Sequence, residues 1–246
     1  MTLLAHPRAV AWRNHLRGWP LLHRLYHVWV GRDYEERFAR GLLAAIAPGD
    51  TVWDIGANVG LYTAQFLARQ AAHVVCFEPA PAAVSQLETS FGAGTAAQDR
   101  VRIVPAALSN VRGTVRFAVD GSSPTNKIID TEFAPSILGE SLIEVPVVRG
   151  DEVAAELDLP LPNVIKIDVE GYEWEVLQGL ERVLALPVVH AVFIEVHFAL
   201  LHGRALDHAP AAINATLAQC GFDVGWLDPS HLCGTRRRFA GLPRST

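Results

Sequence analysis

Short apolar runs alternate with amphipathic stretches along the middle of the chain, and this alternation predicts an α/β fold. Residues 51–55, 73–78 and 101–105 have the length and β-branched content of buried strands. Residues 60–70 and 81–91 carry apolar side chains at helical spacing between those strands. Strands joined by helices pair in parallel through right-handed crossovers, so we expect a ligand site at the carboxyl edge of a parallel sheet.

The alternation is interrupted in the middle of the chain and then returns. Two β-like runs, 115–119 and 143–148, predict an inserted hairpin that carries a lid-like loop, 120–142, over the site. The elements predicted after it are strand 163–168, helix 172–184, strand 188–197, helix 207–220, strand 222–227 and strand 237–242.

The first 47 residues have a different character. Their apolar residues recur at helical spacing, and the stretch up to Arg32 contains arginines but no acidic residue. We interpret this basic arm as a helical cap that packs on the core, with weak contact to a membrane surface as the alternative. The chain is therefore divided into an N-terminal helical arm, residues 1–47, and one domain, residues 48–246.

Composition narrows the class of protein. With 246 residues, 50% of them apolar and 19% charged, the chain can bury one sizeable core. A net charge of −5 gives no electrostatic signature for nucleic acid, and the three cysteines lack metal-ligand spacing. No apolar run is long enough for a membrane span and no secretory signal is visible, so we expect a cytoplasmic protein without a transmembrane segment.

A glycine-containing turn follows the first strand and predicts a nucleotide-type cofactor site. It consists of Asp54-x-Gly56-x-Asn58-x-Gly60 and leads directly into the first helix of the alternation. Glycine lets the backbone approach a ligand closely, and asparagine also tolerates positive φ. The sequence therefore predicts that Gly56, Asn58 and Gly60 bind the cofactor.

Two acidic residues indicate which cofactor this turn binds. Asp54 stands where a dinucleotide fingerprint has its first glycine, and its charge would repel a pyrophosphate but favour the cations of S-adenosylmethionine (SAM). Glu78 ends the next strand at about the 20-residue distance expected of an acid that binds ribose hydroxyls. SAM is the predicted cofactor. An NAD(P)-dependent oxidoreductase and a non-catalytic scaffold with the same fold remain as alternatives.

A second group of polar residues lies at the ends of two later strands. Asp168 and Glu170 share one face of their strand, as do Glu195 and His197 of the next. If these strands are neighbours, these four side chains meet at the carboxyl edge of the sheet, and we call the place where they meet the mouth of the site. We predict Asp168 or His197 as the general base, titrating near neutrality, with Glu195 orienting the imidazole. Magnesium or manganese is the alternative, but we predict no metal site.

Several motifs occur in one order along residues 35–200. They are VWDIGANVGLYT from Val52, FEP from Phe77, PAALS from Pro105 and KIDVEG from Lys166, followed by Glu195-Val-His197. Together they resemble the FkbM family of SAM-dependent methyltransferases.

This resemblance implies a fold and an activity. The fold is the Rossmann-like class I methyltransferase fold, a seven-stranded, mostly parallel sheet of order 3-2-1-4-5-7-6 with its last strand antiparallel and helices on both faces. The activity is O-methylation of a hydroxyl on a sugar, polyketide or related small metabolite. Oligomeric state and acceptor are left open by the resemblance.

The resemblance also implies which residues line the cofactor. Asp168 closes the site. The other positions are Asp54, Gly56, Asn58 and Gly60 on the methionine side, Glu78 and Pro79 at the ribose, and Ala107 and Ser109 near the adenine.

Overall fold

The computed structural model describes residues 32–119, 127–128 and 141–236. In chain order its strands are β1 (Thr51–Ile55), β2 (His73–Phe77), β3 (Val101–Val104), β4 (Ala107–Leu108), β5 (Gly113–Val119), β6 (Lys127–Ile128), β7 (Ser141–Val148), β8 (Val164–Ile167), β9 (Ala191–Glu195), β10 (Asp223–Trp226) and β11 (His231–Thr235). Its helices are α1 (Arg32–Ala45), α2 (Leu61–Ala68), α3 (Pro81–Phe91), α4 (Gly150–Glu156), α5 (Glu173–Gln178), α6 (Glu181–Ala185), α7 (Phe198–Gly203) and α8 (Ala209–Gln219).

Seven strands form the central sheet, in the order β3-β2-β1-β8-β9-β11-β10. All neighbours from β3 to β9 pair in parallel, whereas β11 is antiparallel to both β9 and β10. Counted along the chain, this is the order 3-2-1-4-5-7-6, so the predicted topology is confirmed. The order reverses between β1 and β8, which opens a crevice at the carboxyl ends of those two strands.

Both faces of the sheet are covered by helices, as predicted. Successive residues of a strand point to opposite faces, so Trp53 and Ile55 of β1 join one buried cluster and Val52 joins the other. The first cluster includes residues of α4, α5 and α8, and the second includes residues of α1, α2 and α3. Burial on both faces explains why the central strands are apolar at nearly every position.

The inserted hairpin is confirmed in a smaller sheet of order β4-β7-β5-β6. Its strands β5 and β7 pair antiparallel from Gly113 opposite Val147 to Val119 opposite Ser141. The small sheet packs against the beginning of α3 through Val145. Most of the lid-like loop predicted at 120–142 lies outside the described residues.

Two predicted elements differ from the structure, and a third element of the structure was not predicted. The last strand was predicted at 237–242, which lies outside the described residues, and β11 occupies the seventh-strand position instead. The helix predicted at 172–184 is two helices, α5 and α6, with Gly179 between them. A Cβ at Gly179 would lie 2.0 Å from the Ser109 carbonyl oxygen, so this break coincides with a close backbone approach. The short helix α7 was not predicted.

Helix α1 confirms the helical pattern at the end of the N-terminal segment. Phe38 and Leu42 are buried in the second cluster, so α1 packs on the sheet. Residues 1–31, which hold most of the basic arm, lie outside the described residues. The boundary at residue 47 therefore stays a prediction. Among the described helices, none has both the length and the apolar character needed to cross a membrane.

Candidate active site

The turn between β1 and α2 follows the path that its sequence predicts. Gly56, Asn58 and Gly60 have φ values of +75°, 48° and +86°, all in the left-handed region. A Cβ at Gly56 would lie 1.9 Å from the carbonyl oxygen of Asp168, which follows β8. The absence of a side chain at Gly56 therefore lets the turn pack directly against the end of the neighbouring strand.

Glu78 fixes this turn from the end of β2. Its Oε2 accepts a hydrogen bond of 2.8 Å from the Asn58 backbone N–H, and its Oε1 accepts one of 2.8 Å from Ala80. Burial raises the pKa of Glu78, although the two backbone hydrogen bonds act in the opposite direction. A carboxylate offers about four acceptor positions, so these two bonds leave capacity for a ribose hydroxyl.

Asp54 forms an ion pair with a buried lysine, which corrects the sequence-based argument that its charge faces the cofactor. Its side chain has no exposed surface, and its Oδ2 accepts a 2.7 Å hydrogen bond from the Thr63 hydroxyl. Its Oδ1 lies 3.2 Å from the ammonium of Lys166, which also donates a 2.9 Å hydrogen bond to the Gly56 carbonyl. Asp54 therefore holds Lys166 against the turn and does not present a free negative charge.

The charge of Lys166 is maintained by its neighbours. Burial lowers the pKa of this lysine, but Asp54 and Asp168 outweigh that effect and raise it above its ordinary value. The second carboxylate, Asp168, lies 3.4 Å away through its Oδ2. Lys166 thus links the acid of β1 to the acid that follows β8.

The structure brings the second group of polar residues together, because β8 and β9 are neighbours. The Nε2 atom of His197 lies 3.4 Å from Glu170, 3.8 Å from Glu195 and 3.9 Å from Asp168, measured to a carboxylate oxygen of each. Three carboxylates and one imidazole therefore meet at the carboxyl edge of the sheet.

The imidazole of His197 is oriented by Glu173 and not by Glu195, which corrects the prediction. Its Nδ1 lies 2.7 Å from Glu173 Oε1, and the Glu173 side chain has no exposed surface. The Gly171 backbone N–H donates to the same oxygen at 2.8 Å, which holds that carboxylate in place. Sequence analysis did not identify Glu173 as a site residue.

The surrounding carboxylates raise the pKa of His197. Burial lowers its pKa, but Glu173, Glu170 and Glu195 outweigh this and raise the pKa to about 10. A pKa of about 10 lies above the near-neutral titration that we had predicted for His197. An imidazolium cannot accept a proton, which argues against His197 as the general base. For Glu195, burial raises the pKa but His231 and His197 lower it to about 2, which makes it a weak base.

His231 is a further site residue that sequence reasoning missed. It lies on β11, its Nδ1 is 2.7 Å from Asp228 Oδ2, and its Nε2 is 3.6 Å from Glu195 Oε2. Burial lowers its pKa, but these two acids raise it to about 9. A correct placement of β11 would have identified it, because antiparallel pairing sets His231 opposite Glu195.

The remaining predicted cofactor residues lie beyond the ends of β2 and β3. Pro79 follows Glu78 in the chain and is half-buried. The backbone N–H of Glu78 donates a 3.2 Å hydrogen bond to the Val104 carbonyl, which ties the end of β2 to the end of β3. Ala107 and Ser109, both buried, follow β3 by a few residues. Their position at the same edge of the sheet is compatible with an adenine site, and the role of each stays a prediction.

The fold is a Rossmann-like class I methyltransferase fold. Three features define it: the strand order of the sheet, the helices on both faces, and the glycine turn at the point where the strand order reverses. A family model described as the methyltransferase FkbM domain matches residues 54–224. The chain therefore belongs to the FkbM methyltransferase family.

Individual relatives agree with this assignment. The chain is 31% identical to the hexuronic acid methyltransferase AglP of Haloferax volcanii over 183 residues, covering 69% of this chain and 66% of that protein. It is 29% identical to the 31-O-demethyl-FK506 methyltransferase FkbM of Streptomyces tacrolimicus, covering 73% of this chain and 75% of the relative. A crystal structure of methyltransferase FkbM from Methylobacillus flagellatus superimposes with a TM-score of 0.52 at 16% identity, covering 77% of this chain and 44% of the other.

Proposed function

We propose that the chain is a SAM-dependent O-methyltransferase that acts on a hydroxyl of a sugar, a polyketide or a related small metabolite. Two relatives support the acceptor class, since their names specify a hexuronic acid and 31-O-demethyl-FK506. The structural observation that carries the proposal is the carboxylate-lined mouth around His197, directly beside the glycine turn at the point where the sheet order reverses.

This mouth also distinguishes SAM from a dinucleotide. Asp168, Glu170 and Glu195 place three acids where the reacting end of a cofactor would lie, and they would favour a sulfonium and repel a pyrophosphate. We therefore assign the turn of Gly56, Asn58 and Gly60 to the methionine side, with Asp54 positioning it through Lys166. Glu78 and Pro79 take the ribose, and Ala107 and Ser109 the adenine.

The methyl transfer itself requires alignment and a route for one proton. A lone pair of the acceptor oxygen forms the bond to the methyl carbon while the carbon–sulfur bond breaks, and the electron pair stays on sulfur. The acceptor hydroxyl must also lose its proton. Of the predicted catalytic residues, His197 has a raised pKa and Glu195 a lowered one, so we assign the proton to Asp168.

Product analysis tests the activity. The protein is incubated with methyl-labelled SAM and a series of hydroxyl acceptors that includes hexuronic-acid glycans and demethylated macrolides, and the products are identified by mass spectrometry. We expect one acceptor class to gain a labelled methyl ether. Cofactor binding without transfer to any acceptor would contradict an enzyme and favour the scaffold, whereas hydride transfer from NADH would favour the oxidoreductase.

Variants of the mouth connect the activity to the proposed residues. Asp168→Asn should lower the transfer rate by roughly 10²- to 10⁴-fold, because it removes the proposed proton acceptor. His197→Ala should lower the rate to a similar extent with little change in SAM affinity, because it removes the imidazole at the centre of the proposed acceptor site. His202→Ala is the matched control, since His202 forms a surface pair with Asp207 at 2.7 Å. Equal rates for the control and the mouth variants would contradict the assignment.

Two broader expectations stay predictions. They are a cytoplasmic location and the division of the chain into residues 1–47 and 48–246. Contact of the basic arm with a membrane surface also stays untested. A small-molecule or glycan acceptor, and no nucleic acid, is the partner class that the proposed function requires.

A further inference from the structure

Three side chains at the carboxyl edge are spaced like the ligands of one metal ion. One ligand atom each from Asp168, Glu170 and His197 lies within 4.8 Å of the others. The Nε2 atom of His197 lies 3.4 Å from Glu170 Oε2 and 3.9 Å from Asp168 Oδ1. Adjacent ligands of an octahedral ion lie about 3 Å apart and opposite ones about 4 Å, so small side-chain movements would complete the geometry.

His197 is already positioned as a metal ligand. Its Nδ1 is bound to Glu173, which directs Nε2 towards Asp168 and Glu170. A carboxylate behind the distal ring nitrogen is the usual support of a histidine that binds a metal. The support is rigid, because the carboxylate of Glu173 also accepts the Gly171 backbone N–H.

A second observation points to a missing positive charge. The Oε2 atom of Glu173 is buried and has no hydrogen-bond partner among the residues that the structure describes. Four acids, Asp168, Glu170, Glu173 and Glu195, lie around His197. Of the neighbouring cationic side chains, Lys166 contacts Asp168 at 3.4 Å and His231 contacts Glu195 at 3.6 Å, and neither contacts Glu173. A buried, incompletely compensated carboxylate is costly, and an additional cation in this cluster would lower that cost.

We propose that Asp168, Glu170 and His197 bind one divalent cation, which displaces the Nε2 proton of His197 to solvent. Carboxylate oxygens are ligands of Mg²⁺ and Mn²⁺, and an imidazole nitrogen favours Mn²⁺ of the two. This differs from our sequence-based expectation of a site without metal. Three protein ligands leave coordination positions open, and the role we assign to the cation, binding the acceptor hydroxyl, rests on the proposed function. Cation binding itself does not rest on it.

Direct binding tests this proposal without any activity measurement. The full-length protein is freed of metal with EDTA, the chelator is removed, and Mn²⁺ is titrated while the electron paramagnetic resonance signal of free Mn²⁺ is recorded. We expect one Mn²⁺ per chain, and competition by Mg²⁺. Asp168→Asn, Glu170→Gln and His197→Gln should each weaken Mn²⁺ binding at least tenfold.

Two further variants make the result specific. Glu173→Gln keeps the size of the supporting side chain and should weaken Mn²⁺ binding roughly 10- to 100-fold, since it changes only the support of the ligand. His202→Gln alters the surface pair with Asp207 and should bind Mn²⁺ like the wild type. A wild-type protein that leaves the Mn²⁺ signal unchanged, or ligand variants that match it, would overturn the proposal.

The outcomes separate this inference from the proposed function. Methyl transfer that continues in EDTA, by a protein that binds no Mn²⁺, would defeat the cation site and leave the methyltransferase standing. Stoichiometric Mn²⁺ binding that depends on Asp168, Glu170 and His197, by a protein without affinity for SAM, would support the cation site and defeat the proposed function.

Discussion

Lys166 is the residue that organises the centre of the site. It is almost completely buried, yet it contacts Asp54, Asp168 and the Gly56 carbonyl at distances of 2.9 to 3.4 Å. A buried lysine stays charged only when acids surround it, and here two strands and one turn supply its partners. Because of this arrangement, we expect the charge that the cofactor meets to come from the mouth around His197 and not from Asp54.

Glu78 provides the sharpest test at the scale of a single residue. We expect Glu78→Ala to weaken binding of S-adenosylhomocysteine roughly 10- to 100-fold, because a hydrogen bond to a charged group contributes about 1.5–3 kcal/mol. Calorimetric titration measures the effect, and circular dichroism confirms the fold. Glu88→Ala is the control, since Glu88 is exposed on α3. An unchanged dissociation constant for Glu78→Ala would show that the ribose is bound elsewhere.

Individual site residues were predictable where the motif places them at a strand end. Asp168 and His197 lie close together because alternate residues of a strand share one face and the strands that precede these two residues are neighbours. The partners Lys166 and His231 were not predictable in the same way, since each depends on a contact between distant segments. A lone lysine in the apolar strand Val164–Ile167 was the signal for the first of them, because it requires a buried acid nearby.

At the scale of elements, the turn between β1 and α2 depends on one close approach. Gly56 and Gly49 both have positive φ, at +75° and +90°, but a Cβ at Gly56 would collide with the Asp168 carbonyl whereas Gly49 has open space. We expect Gly49→Ala to lower the free energy of unfolding by about 1 kcal/mol and Gly56→Ala by clearly more, with loss of cofactor binding. Urea denaturation measures both, and equal losses would contradict the proposed packing of turn against strand.

The bounds of helices and strands with strong local sequence patterns were predicted to within a few residues. Elements whose bounds depend on tertiary contacts were not predicted correctly. Strand β11 reads His-Leu-Cys-Gly-Thr, which lacks a run of β-branched residues, and it is a strand because it pairs with both β9 and β10. The break between α5 and α6 likewise coincides with the approach of the Ser109 carbonyl to Gly179, which no local pattern reveals.

At the scale of the whole molecule, α1 is connected to the site through His231. The ring of Phe38 stacks on the His231 imidazole at a centroid distance of 4.3 Å, and Phe38 itself is buried. His231 in turn contacts Glu195 at the mouth. Helix α1 is therefore a part of the structure that supports the site, in addition to covering the sheet.

This arrangement predicts how stability depends on pH. The pKa of His231 is about 9 in the folded protein and about 6.5 when unfolded, so its ion pairs stabilise the fold fully below pH 6.5. That contribution, up to about 3 kcal/mol, is lost as the pH rises through about 9. Urea denaturation should show the free energy of unfolding falling over this range less steeply in His231→Asn than in the wild type. Identical slopes would contradict the raised pKa.

Cofactor identity is the most direct test of the account as a whole. The wild-type protein is titrated separately with S-adenosylhomocysteine and with NADH in a calorimeter. We predict saturable binding of one S-adenosylhomocysteine per chain and no measurable heat with NADH, because the acids at the mouth favour the ammonium group that S-adenosylhomocysteine shares with SAM and repel a pyrophosphate. Saturable binding of NADH together with no binding of S-adenosylhomocysteine would contradict the account.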